Sequence, residues 1–474
     1  MHGSLRMVSV AILLSTPTML AFASGGYFVS PRLLAGAAAW ALVAASVWLT
    51  SGPTPQSSPS RVAIGGLACL TALVGLSIFW APLRGPVQAD LQRLLLYLGT
   101  LIAACAFLRG RYGLRLVELA LGAGALLVTL YALSARLFPA VVSQTASRSA
   151  LGRLEQPLTY WNACGMLAAC GLILALRVAA DQSRQVWLRS VAMGAVVPLG
   201  VGAYLTFSRA ALLAVAIGAI LLVLLSREEG QLRAVVIGIG GAAAASVVAA
   251  SLPAVRALQG GESEAQLQGL LMTGALVIVI AATIALAHWA NVRPSGTERS
   301  LSAALAVGLI VVLVVGFGAV AAGGGSASGQ PRVGADTRRL TSLESNRYKY
   351  WTIAAQMFVR APLLGEGSSS FDITWRRDRT IADSAHDAHS LYVETAAELG
   401  FAGLVALAMF IGGVFAAGRK LLTERRSESA GALAALGAMA VHAGLDWDWE
   451  MPALALIAIL LAGAVLAADP ARGK

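Results

Sequence analysis

The sequence predicts an all-α polytopic membrane protein, and three observations carry that expectation. Of 474 residues, 57% are hydrophobic and only 12% are charged. An ordinary soluble domain is about 25% charged, so there is too little polar side chain to cover a water-facing surface. The apolar residues gather in runs near 20 residues, the length that crosses a bilayer as a helix. Fifty glycines suit close helix–helix contact in lipid better than a soluble core. The same composition excludes disorder, coiled coil and nucleic-acid binding as primary readings.

In chain order, the first run lies near 7–29, behind Arg6. Its basic start resembles a secretory leader, but it is too long for a typical leader core and further runs follow at once, so it reads as a span. Runs near 33–50 and 62–82 come next, then 94–108 and 116–138, 160–180 and 190–207, 210–226 and 234–255, and 268–288 and 301–322. A segment at 323–390 breaks the pattern: it is polar, mixed in charge and far longer than any other connection. Runs near 391–417, 430–446 and 451–468 close the chain. The expectation is a bundle of about 12–14 transmembrane helices with one large external loop. Its parts are a bundle over 1–322, the loop with a surface helix over 323–390, and C-terminal helices over 391–474.

Orientation follows from Lys and Arg. With the N-terminus inside, 18 of the 35 basic residues fall in inner connections, among them Arg109, Arg111, Arg115, Arg184, Arg189, Arg419 and Lys420, and 8 fall in short outer loops. That bias places both termini in the cytoplasm and the long loop outside, and it absorbs much of the +11 net charge. Carboxylates are scarce at mid-span, where ion-coupled transporters keep theirs. Cys69, Cys105, Cys164 and Cys170 lack metal-ligand spacing and read as small core residues.

On this topology the unusual polar residues share the outer face. Arg153, Tyr160 and Asn162 lie in GRLEQPLTYWN; Ser208 and Arg209 form a tight turn in LTFSRAALLA; SNRYKYW carries Arg347; DAHSLYVETAAELGFAG carries His389, Glu394 and Glu398; VHAGLDWDWEMP carries His442, Asp446 and Asp448. From Ser345 to Phe358 the spacing predicts a helix, ended by Pro362 and followed by the turn-rich GEGSSSF. That helix either aims Arg347 at the mouth of the bundle or anchors at lipid phosphates. Arginine presents a planar fork of donors that fits phosphate oxygens. Two arginines near a histidine suit a diphosphate leaving group and a base for an attacking hydroxyl. GEGSSS lacks the lysine and spacing of a nucleotide-binding loop. His386 and His389 show no nearby third ligand, so no metal is expected.

Each of these residues also has a plainer reading. Arg209 suits a snorkelling interfacial arginine, His389 a helix cap and Asn162 a contact between helices. The pair Asp446 and Asp448 suits a solvated turn, and Glu394 and Glu398 at i, i+4 suit partners for outer arginines.

DAHSLYVETAAELGFAGL resembles the O-antigen ligase and Wzy-type polymerase superfamily, with Ser390 where the family usually has Asn. NRYKYWTIAAQMFVRAPLLGEGSSSF resembles its Arg…Trp…Pro-Leu-x-Gly-x-Gly…Phe run. LTFSRAALLA resembles its Ser-Arg-Gly turn with Ala210 for Gly, and TYWNACGMLAA and VHAGLDWDWEMPA resemble its Asn-bearing span and closing element. The likeness covers roughly 150–465. It implies a GT-C-like helical bundle in a bacterial inner (plasma) membrane, active at the outer face. The implied reaction moves a glycan from an undecaprenyl-diphosphate carrier to an acceptor hydroxyl on glycan, lipid or protein, without metal or nucleotide sugar. Arg209 and Arg347 would hold the diphosphate and His389 would engage the acceptor. Arg153, Asn162, Tyr160, Arg360, Glu398 and Asp446 are further expected substrate contacts. Membrane lipids are expected partners, and nucleic acid is not. A polytopic transporter or lipid-linked-glycan flippase is the alternative.

Overall fold

The computed structural model describes residues 2–50, 57–226, 228–292, 334–335, 340 and 345–468. The predicted span at 301–322 and most of the first part of the loop lie outside these residues. Among the described residues every extended element is a helix. Ten helices among the described residues are long and apolar enough to cross a membrane, and Arg209–Leu225 and Pro452–Ala468 are shorter apolar helices. The chain is an all-α polytopic membrane protein.

Two compact units emerge, residues 1–120 with 345–474, and residues 121–344. The first unit holds α1 (His2–Ala21), α2 (Val29–Leu49), α3 (Ser58–Leu76), α4 (Arg84–Phe107) and the start of α5 (Gly110–Leu137). The second continues α5 and adds α6 (Trp161–Ala180), α7 (Val186–Leu205), α8 (Arg209–Leu225), α9 (Gln231–Ser251), the short α10 (Pro253–Ala257) and α11 (Glu262–Val292). The chain then returns to the first unit with α12 (Arg347–Arg360), α13 (Phe371–Asp378), α14 (Leu391–Glu424), α15 (Arg426–Ala443) and α16 (Pro452–Ala468).

Small residues let the spans of the first unit approach closely. α3 and α14 pack along their length. A Cβ on Gly66 would sit 2.4 Å from the Phe410 nitrogen, and one on Gly413 would sit 2.6 Å from that of Ala63. Cys105, Cys164 and Cys170 are buried free thiols, whereas Cys69 is exposed; it lies on a face of α3 that this unit leaves uncovered, so the core reading fails for it.

α4 begins at Arg84, ten residues before the predicted run. Asp90 and Arg93 hid its first turns from an apolarity reading, yet both are buried inside the unit. Arg93 pairs with Asp90 at 3.0 Å and also with Glu450. Paired charge can be buried; single charge rarely is.

The central feature of the unit is a break in α14. Gly400 has φ 62° and ψ −157° inside an otherwise helical run. The break leaves backbone groups unpaired, and the segment after α12 supplies them. Glu366 and Gly367 N–H donate to the carbonyls of Ala397 and Glu398 at 3.2 and 2.8 Å. Phe401 and Ala402 N–H donate to the carbonyls of Pro362 and Leu363 at 2.8 and 3.1 Å. Gly365 adopts φ 68°, and a Cβ there would lie 2.1 Å from the Glu398 carbonyl carbon. A Cβ on Gly400 would lie 2.5 Å from that of Leu363.

Gly365→Ala and Gly400→Ala are each expected to cost at least about 2 kcal/mol, because positive φ and a backbone clash add. Gly412→Ala, on the same helix with open space around it, is expected to be neutral or mildly stabilising. Thermal unfolding in detergent checks this; equal behaviour of all three variants would refute the clasp.

Candidate functional site

The site of the first unit lies at the end where α1 meets α2, α3 meets α4, α14 begins and α15 meets α16. α12 stands over this end on a small core of its own: Tyr350, Ile353, Ala354 and Met357 pack with Phe371, Trp375, Ala388 and Ala397. Trp351 Nε1 donates to the Ala388 carbonyl at 3.1 Å, and Trp375 Nε1 to that of Asp383 at 2.8 Å. Tyr350 Oη donates to Asp383 at 2.5 Å, and burial, together with that carboxylate, raises the phenol's pKa. The helix predicted from 345 is therefore present, and it is fixed by its aromatic face.

Arg347, at the first turn of α12, reaches across to α15–α16. Its Nη2 meets Asp446 Oδ2 at 2.8 Å; Asp446 is fully buried, while 23% of the arginine side chain is exposed. Asp446 thus orients the guanidinium of a side chain that stays partly exposed. Asp446 Oδ1 also accepts from the Trp447 N–H at 3.0 Å. The neighbouring His442 Nδ1 pairs with Asp448, and both groups are buried.

His389 precedes α14 in a left-handed conformation, φ 55°, with Ser390 next to it as helix cap, its Oγ accepting from Val393 N–H. The imidazole Nδ1 lies 3.0 Å from the Asp387 carbonyl oxygen. A carbonyl can only accept, so Nδ1 carries the proton and a neutral ring presents Nε2 as its acceptor. The ring lies 5.3 Å from that of Tyr350 and 6.4 Å from that of Trp447. Tyr350 is one turn from Arg347, and Trp447 follows Asp446. His389 thereby lies against two aromatic rings, one a turn from Arg347 and one next to Asp446 in the chain.

Other predicted contacts have their polar atoms engaged. Glu398 is buried and accepts from the N–H groups of Ser369 and Phe371 at 2.8 and 3.0 Å, holding the turn before α13. Arg360 pairs with Glu366 at 2.7 Å near the surface. In the second unit, Arg153 donates to the carbonyls of Ala150 and Ser149 and lies 3.4 Å over the Trp161 ring. Asn162 Nδ2 donates to Tyr160 Oη at 2.7 Å. Arg209 opens α8 behind Ser208, whose Oγ accepts from Ala211 N–H at 3.2 Å.

The sequence reading missed a carboxylate cluster beside His389. Oxygens of Asp387, Glu394 and Glu450 lie within 4.8 Å of one another. Glu394 also accepts from Ala388 N–H at 2.7 Å, and Asp90 accepts from the hydroxyls of Ser368 and Ser369 at 2.5 Å each. Such a trio suits a shared proton or a divalent cation. Burial pushes the carboxyls of Asp387 and Glu450 above the usual range, against the pull of His389 and Arg93 on Asp387 and of Arg93 on Glu450. Only the closeness of Asp387 and Glu394 along the chain was an available signal, since Glu450 and Arg93 come from distant stretches. Glu394 sits in the first turn of α14, Asp387 just before that helix, and Glu450 in the turn between α15 and α16.

Because Asp387 keeps its proton to higher pH folded than unfolded, its contribution to stability falls as pH rises from about 4 through the raised value. Asp387→Asn removes that dependence. In chelator, the melting temperature of the variant minus that of the wild type should increase between acidic and mildly alkaline pH; a flat or falling difference would contradict the burial account.

No curated protein matches the chain. Residues 268–408 match the family model described as O-antigen ligase, a stretch containing Arg347, Arg360, His389 and Glu398. Over that stretch the chain is similar to the O-antigen ligase family, in line with the resemblance of its motifs.

Proposed function

We propose that the protein is a glycosyltransferase that ligates or polymerises carrier-linked glycan at the outer face of a bacterial inner membrane, with both termini cytoplasmic. The family match supports membrane glycan ligase or polymerase chemistry in general. The observation that carries the finer reading is the pairing just described. His389 has its Nδ1 proton pinned on a carbonyl, and Arg347 is oriented by a buried carboxylate; Tyr350 and Trp447 link the two.

In this reading the donor is an undecaprenyl-diphosphate glycan. Nε2 of His389 takes the proton of the acceptor hydroxyl as its oxygen attacks the anomeric carbon. The bond from that carbon to the diphosphate oxygen breaks, and undecaprenyl diphosphate leaves. Arg347 offsets the charge that develops on it. An apolar crevice among α14, α15 and α16, lined by Tyr392, Phe410 and Met439, reaches Asp448 and Trp449 and suits a prenyl chain entering beneath the site. The role of Arg209 rests on its Ser-Arg motif and is tested on its own.

Purified protein, a short undecaprenyl-diphosphate oligosaccharide and candidate acceptors in chelator provide the test. His389→Ala is expected to lower transfer by about 10²–10⁴-fold, and Arg347→Ala by at least about 10²-fold, with both proteins folded. Arg209→Ala should lower it as well. Retained transfer in the His389 and Arg347 variants would sink the assignment. Loss of wild-type transfer in chelator would point to a cation on Asp387, Glu394 and Glu450.

A labelling map adds a separate check: a cysteine placed at 389 should react with a membrane-impermeant reagent from the outside. Reaction only after the membrane is opened would contradict an outward-facing site.

A further inference from the structure

The second unit carries a basic cavity that the glycosyl-transfer reading does not use. It lies where α6 and α11 end and where α7 and α9 begin, at the opposite end of α6 from Asn162. Its volume is about 200 Å³, and Arg189, Arg233, His288, Gln182 and Ser190 line it. Among the described residues, no Asp or Glu lines it. Of the acids on adjoining turns, Asp181 pairs with Arg184 at 3.0 Å and approaches Arg177 at 3.8 Å, Glu228 approaches Arg177 at 3.9 Å, and Glu229 is exposed beside Gly230.

Backbone carbonyls position both cavity arginines. Arg189 Nε donates to the Ala179 carbonyl at 3.3 Å, at the end of α6. Arg233 Nη1 donates to the Ala290 carbonyl, near the end of α11. Both arginines are half-buried and bring two positive charges to one cavity. The rest of the lining is apolar, with Val186, Met193, Ile237 and Ile284. Trp187 and Trp289 flank it with 62% and 53% exposure, as aromatic side chains do at the level of lipid headgroups.

We infer that this cavity binds the phosphate of an anionic phospholipid. Two arginines, a histidine and a serine hydroxyl suit phosphate oxygens, and the apolar wall beside them suits the first carbons of an acyl chain. Basic pockets between transmembrane helices recognise anionic headgroups on these terms. A soluble phosphate would use the same donors but would gain nothing from that wall.

The test uses the full chain in neutral detergent and reads thermal stability against added phosphatidylglycerol, phosphatidylcholine or millimolar inorganic phosphate. Phosphatidylglycerol alone should raise the melting temperature in a saturable way. Ser190→Asp places a negative charge in the cavity without touching either arginine, and should weaken half-saturation by at least about tenfold. Arg189→Gln with Arg233→Gln should abolish the gain. Because the double variant also loses the tie to Ala290, Ser190→Asp decides if the former folds poorly. An equal gain from phosphatidylcholine, or an unchanged response in Ser190→Asp, would overturn the site. Inorganic phosphate reproducing the whole gain would overturn the lipid as its occupant.

Discussion

A helix that crosses a membrane must satisfy its own backbone, because lipid offers no hydrogen bonds. α14 breaks that rule at Gly400 and is made whole by residues 362–367, whose N–H and carbonyl groups fill both sides of the gap. Much of the candidate site hangs on this repair. The clasp fixes where α12 ends, and with it the height of Arg347 over the bundle. It also holds the turn at 367–371, where Ser368 and Ser369 meet Asp90 and Glu398 caps two N–H groups. A structure that joins extramembrane segment to span through backbone bonds tolerates little sliding between them. That rigidity suits a site whose reacting groups come from both.

The same end of the unit buries more charge than an apolar protein usually accepts. Arg93 stands between Asp90 and Glu450, and Arg347 is held by Asp446. Each cation has a carboxylate, so the desolvation cost is met by close pairing and by hydrogen bonds to the remaining oxygens. Asp387 lies in the same cluster without a direct Lys or Arg partner among the described residues, and burial favours proton retention there.

The fold class was legible because composition and run length suffice for it. The helix carrying Arg347 was legible from its spacing, and its C-terminal stop from Pro362. Two things were not. The start of α4 was hidden because Asp90 and Arg93 read as loop residues until Glu450, remote in sequence, is seen to pair with Arg93. The break in α14 was hidden because an apolarity reading sees a continuous run from 391. Its signal was present in Gly365, Gly367 and Gly400, but a glycine's backbone angle is not written in its letter. Among the predicted contacts, Glu398, Arg360 and Arg153 have partners inside their own units. Residue type alone could not separate a group that holds the fold from one that faces a ligand.

That distinction bears on which residues carry chemistry. Arg153 spends Nε and Nη2 on carbonyls of its own turn and its face on Trp161; this is the work of a residue that shapes a loop. Arg347 is bound on one side by Asp446 and remains partly exposed on the other. His389 is held in a conformation that most residues avoid, between a carbonyl that sets its tautomer and the cap of α14. A helix cap alone would not need an imidazole there, since Ser390 already provides it. The arrangement is explained if the ring must present Nε2 at a fixed place, and a hydroxyl acceptor is the partner that such a nitrogen is suited to deprotonate.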